Sequence, residues 1–179
     1  MVILITGASH TGKTCLAKQL IQQTGFPCLS MDHLKMGLIR SGQTTLTPLS
    51  PAKDLTAYLW SILREMIKTA IENKQDLILE GCYIPPNWQK DFDESYRKDI
   101  RYLCLVMSED YLSQHFAQIL AHANDAEQRL NDSGCTMETV LADNARYLQQ
   151  CREYDLPYIL IRNDYETDLQ QEVAICLAD

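Results

Sequence analysis

No apolar stretch of membrane-spanning length occurs in the 179 residues, so a transmembrane helix is not expected. Basic residues are outnumbered, 16 Lys and Arg against 24 Asp and Glu, for a net charge of -8. Nucleic-acid backbones call for a positive face, so non-specific binding to DNA or RNA is not expected either. A phosphorylated small ligand stays open, because local donors can hold it within an acidic surround. The first residues show no basic n-region, leader core or cleavage site, which predicts a cytoplasmic protein. The seven cysteines include no C-x-x-C pair, and no His stands at zinc-ligand spacing from them. Most lie in apolar runs, as Cys104 does in Tyr102-Leu103-Cys104-Leu105-Val106. They read as buried free thiols of a reducing compartment. Repeats, low-complexity tracts and linkers are missing, and the length suits one domain with a core of its own.

Against these absences stands one complete motif. Residues 7–14 read Gly7-Ala8-Ser9-His10-Thr11-Gly12-Lys13-Thr14, a full G-x-x-x-x-G-K-[ST] phosphate loop. It follows the apolar run Val2-Ile3-Leu4-Ile5 and precedes the helical pattern Leu16, Leu20, Ile21. A buried strand thus turns into a helix N-terminus through small residues, and the helix dipole and amide hydrogens form a cradle for polyphosphate. The expected nucleotide contacts are Gly7, Ser9, His10, Thr11, Gly12, Lys13, Thr14 and Cys15. In this motif Lys13 reaches the β- and γ-phosphates of ATP and the Thr14 hydroxyl ligates Mg²⁺. His10 either touches phosphate or is an ordinary exposed imidazole.

Apolar runs and helical patterns alternate to the end of the chain. Strands are predicted at 2–6, 27–30, 76–80, 100–106 and 157–162, and their continuous hydrophobicity suits an α/β fold with a parallel sheet covered on both faces. Helices follow the phosphate loop and begin near Asp32, Asn87, Ser108, Thr136 and Thr167. Another starts at Ser50-Pro51, with Ser50 as N-cap and Pro51 at the first helical position. Its apolar stripe is Leu55, Leu59, Ile62, Leu63, Met66, Ile67 and Ala70. Segments 41–51 and 122–135 escape regular structure and read as ligand flaps or plain surface loops.

Ligands of parallel α/β sheets sit at the carboxyl ends of the strands. There the second strand ends at Asp32 and the third at Glu80-Gly81. One carboxylate beside a phosphate loop can orient metal-bound water, and the other can accept the proton of an attacking hydroxyl. Glu80 is assigned the first role and Asp32 the second; a plain N-cap for Asp32 and a solvated strand end for Glu80 are the alternatives. Arg40 could hold an anionic acceptor or compensate its helix dipole. Tyr83 and Trp88, flanking Pro85-Pro86, could stack on a substrate ring or pack beneath the loop.

These features together resemble the P-loop small-molecule kinases, a group that includes nucleoside monophosphate, shikimate and gluconate kinases and chloramphenicol phosphotransferase. The resemblance covers most of the chain and implies a five-stranded parallel sheet in the order 2-3-1-4-5, a helical lid near 122–135, an acceptor region near 32–60 and ATP-dependent phosphotransfer. Adenylate-kinase-like members carry Asp-x-x-Arg after strand two, where this chain has Asp32-His33-Leu34-Lys35. In those members the arginine meets the acceptor phosphate, so the resemblance implies Lys35 as a substrate contact, a cation without the guanidinium fork. After strand three they carry Asp-Gly-x-Pro-Arg, whereas Glu80-Gly81-Cys82-Tyr83-Ile84-Pro85-Pro86 has no arginine and is more similar to 2-phosphoglycerate kinases. Asn144-Ala145-Arg146-Tyr147-Leu148-Gln149 is similar to that subgroup too, and the apolar-Asp32-x-Leu34 pattern to chloramphenicol phosphotransferase. Related kinases place several arginines in and after the lid. Here Arg129 and Arg146 are the candidates for clamping the transferring phosphoryl group, while Arg152 fits a surface ion pair. Arg162-Asn163-Asp164 occupies the place where the group grips adenine.

The leading expectation is an ATP-dependent phosphotransferase that binds ATP or ADP and a small-molecule acceptor, with Mg²⁺. A nucleoside monophosphate kinase and a nucleotide-binding switch without transfer activity are the rival readings.

Overall fold

Val2, Ile3, Leu4 and Ile5 are wholly buried and open strand β1 (Val2–Gly7). In the computed structural model, residues 1–121, 135–163 and 165 are described. The chain continues through α1 (Lys13–Thr24), β2 (Cys28–Ser30), α2 (Met31–Arg40), α3 (Ala52–Glu72) and β3 (Leu77–Glu80). A 3-10 turn (Trp88–Asp91), α4 (Glu94–Arg97), β4 (Ile100–Met107), α5 (Glu109–Ala121), α6 (Met137–Glu153) and β5 (Tyr158–Ile161) complete it. The sheet has five strands in the order β2-β3-β1-β4-β5, the order that the resemblance implies. Its strands run parallel, with β3 paired to both β1 and β2, and β4 paired to β5. Parallel strands need crossovers, and the helices between consecutive strands supply them. Predicted and observed strands agree to within a residue at each end.

By compactness the chain forms two units. One comprises Met1–Thr6 and Ala17–Tyr102, the other Gly7–Leu16 and the described residues from Leu103 onward. In the first unit α3 buries Leu55, Leu59, Trp60, Leu63, Ile67 and Ala70, a spacing that keeps one helical face inward. Two details of the predicted stripe differ. Met66 is 38% exposed, and Trp60 joins the buried face because its ring meets Phe92 edge-on at 6.1 Å and its Nε1–H donates to Asp91 at 2.7 Å. The predicted cap of α3 is also corrected. Pro51 stands at the N-cap position without a side-chain hydrogen bond, and the Ser50 hydroxyl instead accepts from the Thr47 amide at 2.9 Å. A local turn within 47–50 thus claims the hydroxyl before the helix can use it.

Trp88, at the start of the 3-10 turn after β3, packs inward, stacked on Tyr102 at 5.8 Å and edge-on to Phe92 at 5.9 Å. It is 3% exposed, and its buried Nε1–H has no partner among the described residues. Trp88→Ala is therefore expected to cost about 3–5 kcal/mol in urea unfolding, by loss of packing and a residual cavity. Trp88→Phe should cost far less, because it also removes an unsatisfied donor. Equal losses for the two variants would contradict this account.

In the second unit Met107, Leu112, Val140 and Ile161 form the core, flanked by Tyr111, Phe116, Ile119, Cys135, Leu141 and Tyr165. The predicted start of α6 at Thr136 holds, and Thr136 and Thr139 form a reciprocal capping box. The cysteine reading is corrected in part. Cys104 and Cys151 are buried and Cys135 half-buried, but Cys15, Cys28 and Cys82 are exposed, and all six are free thiols. Cys28 is exposed because β2 is an edge strand. Among the described residues no helix is long and apolar enough to cross a membrane. The predicted flap at 122–135 lies, except for Cys135, outside the described residues, as do the helix near Thr167 and Asp164.

Candidate functional site

The phosphate loop belongs to the second unit, where its shape is fixed by glycine and by hydrogen bonds to its own carbonyls. Gly7 has φ 140°, and a Cβ there would stand 2.2 Å from the Leu105 carbonyl oxygen. Only glycine permits that approach. His10 (φ 65°) and Gly12 (φ 79°) add the left-handed turns that bring successive amides to one side. The Ala8 carbonyl accepts from Thr11 Oγ1 at 2.8 Å and from Lys13 Nζ at 2.7 Å. The Leu16 amide donates to the Gly12 carbonyl at 3.0 Å, which begins α1. Tyr165 Oη donates to the same carbonyl at 2.9 Å, and burial raises its phenol pKa, keeping it a donor. The His10 ring lies beside Cys135, 3.6 Å from Nδ1 to Sγ. Thr14 is half-buried and Cys15 exposed on the first turn of α1.

In the first unit the carboxyl ends of β1, β3 and β2 lie level. Ile5 pairs with Glu80, and Glu80 with Ser30. Glu80 is 4% exposed. The Thr6 and Ser30 hydroxyls at this edge are buried without a hydrogen-bond partner among the described residues. Gly81 turns away at φ 151°, its amide donating to the Ile5 carbonyl at 3.0 Å, and a Cβ there would meet Met31 Cβ at 2.7 Å. The edge thus offers hard oxygen donors, the kind Mg²⁺ and its water shell accept. Among the described residues no group of three or more His, Cys, Asp or Glu could hold a metal by itself. Mg²⁺ needs no such cage, since it is commonly held by one or two protein oxygens plus phosphates and water.

Asp32, Lys35 and Tyr83 come together on the same unit. Ser30, not Asp32, is the N-cap residue of α2, and its side chain makes no capping bond. Asp32 stands in the first turn, and its Oδ1 accepts from Lys35 Nζ one turn later. Lys35 Nζ also donates to Tyr83 Oη at 2.9 Å and lies 5.1 Å from the ring centroid. The lysine side chain is 13% exposed against 41% for Asp32, so the carboxylate is the accessible member. Burial alone would lower the Lys35 pKa, but the bonds to Asp32 and Tyr83 carry it above its ordinary value. Burial also pushes the Tyr83 phenol up to about 12, with Cys82 adding to the effect. At neutral pH Lys35 is an ammonium and Tyr83 a neutral phenol, and the lysine charge expected for a substrate is already paired with Asp32.

On α6 the buried Asn144 accepts from the Met107 amide through Oδ1 at 2.8 Å and donates to the Val140 carbonyl through Nδ2 at 2.8 Å. That double bond set fastens the helix to the end of β4. Asp143 Oδ2 accepts from the Ser9 amide at 3.1 Å, and its Oδ1 pairs with Arg146. Arg146 lies 4.5 Å above the Tyr147 ring. Burial would lower its pKa, but Asp143 holds it above the usual value. Arg40 is exposed in the last turn of α2, Arg152 is exposed in the last turn of α6, and Arg129 lies outside the described residues.

Sequence reasoning missed Asp143, Asn144 as an anchor, and Tyr165. The three-residue spacing of Asp143 and Arg146 was a readable helix pair. Nothing local signals the contact of Tyr165 with Gly12, across more than 150 residues of chain.

A family model described as "AAA domain" matches residues 2–133. No curated protein matches the sequence. Among solved structures, shikimate kinase from Bacteroides thetaiotaomicron is similar at 16% identity and TM-score 0.58, covering 98% of this chain and 97% of its own. An uncharacterized protein from Eubacterium ventriosum is similar at 15% identity and TM-score 0.54, covering 100% and 99%. Shikimate kinase from Aquifex aeolicus is similar at 13% identity and TM-score 0.51, covering 97% and 94%. Likeness at such identities is a shared fold.

Proposed function

The chain belongs to the AAA domain family and carries the fold of the P-loop small-molecule kinases, and from that premise we propose that it transfers the γ-phosphate of ATP to a small-molecule acceptor. The observation that carries the reading is the phosphate loop, whose left-handed turns at His10 and Gly12 aim successive amides as a polyphosphate requires. Lys13 moves from the Ala8 carbonyl to the β- and γ-phosphates when nucleotide binds. Asp32, held by Lys35, takes the proton of the acceptor hydroxyl through Oδ2 while the hydroxyl oxygen attacks the γ-phosphorus in line. The bond from phosphorus to the β,γ-bridging oxygen breaks, and ADP leaves with that electron pair. Tyr83 Oη accepts from Lys35, so its own O–H is available to orient the acceptor. Mg²⁺, when bound, neutralises the triphosphate; the Thr14 hydroxyl would ligate it and Glu80 would hold its waters. Arg129 and Arg146 are the proposed clamps for phosphoryl charge, and Arg40 is the proposed contact for an anionic acceptor. The residues after β3 (81–86) include no arginine, which counts against a nucleoside monophosphate as acceptor.

The test is ATP consumption against a panel of hydroxyl-bearing metabolites and drugs. For any acceptor that stimulates turnover, Asp32→Asn should reduce kcat by about 10²–10⁴-fold with little change in Mg-ATP affinity. Turnover at the full rate in that variant would remove Asp32 from the mechanism.

One observation favours a second reading, a nucleotide-binding switch without transfer. Helix α5 contains no Lys or Arg, so cationic help on the transferring group is sparse. Tight Mg-ADP binding with no stimulated turnover across the panel would favour the switch.

A further inference from the structure

Asp143 divides its two oxygens between partners that lie far apart in the chain. Oδ2 takes the Ser9 amide at 3.1 Å, and Oδ1 takes the Arg146 guanidinium. We infer that Asp143 is a positioning residue, tying Arg146 to the rim of the phosphate loop so that the guanidinium meets the terminal phosphate of ATP. The inference rests on the nucleotide-binding reading above and adds to it the residue that aims the cation.

Three observations carry it. First, the platform is rigid: α6 is capped by Thr136 and Thr139, and Asn144, next in sequence to Asp143, is 2% exposed and bonded to the end of β4. Second, the arginine has little freedom to swing, being held between Asp143 and the Tyr147 ring, yet it is 53% exposed, so it can meet a ligand. Third, the anchor is at the exposed Ser9, ahead of the left-handed turn at His10. Lys13, the cation for the outer phosphates, rests its Nζ on the carbonyl of Ala8 at 2.7 Å, next in sequence to Ser9, which puts a group at Ser9 beside the γ end.

A bare carboxylate beside a triphosphate would repel it, which makes the sign of the effect diagnostic. If Asp143 acted only through its charge, or merely competed for the Ser9 amide, Asp143→Asn would tighten nucleotide binding. If it aims Arg146, Asp143→Asn keeps an acceptor for Ser9 but releases the guanidinium, and affinity for the γ-phosphate falls.

Calorimetry on the full chain with Mg-ADP and with Mg-AMP-PNP, a non-hydrolysable ATP analogue, separates these outcomes. Asp143→Asn and Arg146→Met should each weaken AMP-PNP by roughly tenfold, the scale of one charge-assisted hydrogen bond, while changing ADP by less than about twofold. ADP binding doubles as the check that each variant retains a formed loop. Arg146→Met leaves the Ser9 bond intact, so it decides the matter if Asp143→Asn unfolds. AMP-PNP bound by Asp143→Asn as tightly as by the parent, or more tightly, overturns the inference. So does an equal loss of both nucleotides on Asp143→Asn with Arg146→Met unchanged, since Asp143 would then serve the loop alone. Wild-type protein that binds neither nucleotide overturns the kinase reading itself, a result of a different kind.

Discussion

Lys13→Met is expected to weaken Mg-ATP by about 2–4 kcal/mol, roughly 30- to 1000-fold, the worth of one or two charge-assisted hydrogen bonds at a buried phosphate. The same change should leave the melting temperature nearly untouched. Lys13 Nζ bonds the Ala8 carbonyl, but Thr11 Oγ1 bonds that carbonyl too, so the loop keeps an internal tie when the ammonium is gone. The Met side chain retains the apolar stem at comparable length. Binding and folding are thus separable here, and calorimetry beside a thermal melt reads both. Unchanged affinity in a variant that melts like the parent would end the assignment of residues 7–14 as a nucleotide cradle.

Gly7→Ala should act on the fold itself. The added Cβ would lie 2.2 Å from the Leu105 carbonyl oxygen and 2.9 Å from its amide nitrogen. Both are backbone atoms of a buried strand residue, so neither can move aside alone. The conformation at φ 140° is itself unfavourable for an L side chain. Strain of about 1–3 kcal/mol from the dihedral and a similar amount from overpacking add to roughly 2–6 kcal/mol. Against a typical total of about 5–15 kcal/mol, that is enough to unfold a marginal protein. Gly37→Ala is the matched control: it lies within α2, a Cβ there meets nothing within 4 Å, and the variant should be stabilised by about 0.5–1 kcal/mol. Opposite shifts in urea midpoint for the same chemical change would separate the close approach at Gly7 from any general intolerance of alanine. Two shifts of one sign would refute the assignment.

The sequence determined the strands, because four- to eight-residue apolar runs between polar helices allow little else. It determined the phosphate loop, whose two glycines five residues apart encode backbone geometry directly. It also determined that a carboxylate closes β3 and that Asp32 follows β2, and the start of α6 at Thr136, since a cap is a local exchange of hydrogen bonds. Where local signals competed, the reading was less sharp: the Ser50 hydroxyl fitted both a helix cap and the turn with Thr47 that it actually makes. Tertiary structure alone decided which residues share a site. Nothing near Lys35 in the chain indicates Tyr83, 48 residues on, whereas its pairing with Asp32 at three-residue spacing is a local helix contact. Asp143 meets Ser9 across 134 residues, while its neighbour Asn144 bonds the end of β4. Local propensity has a range of about one helical turn, whereas charge balance and the aim of a side chain are set by whatever the packed core brings alongside.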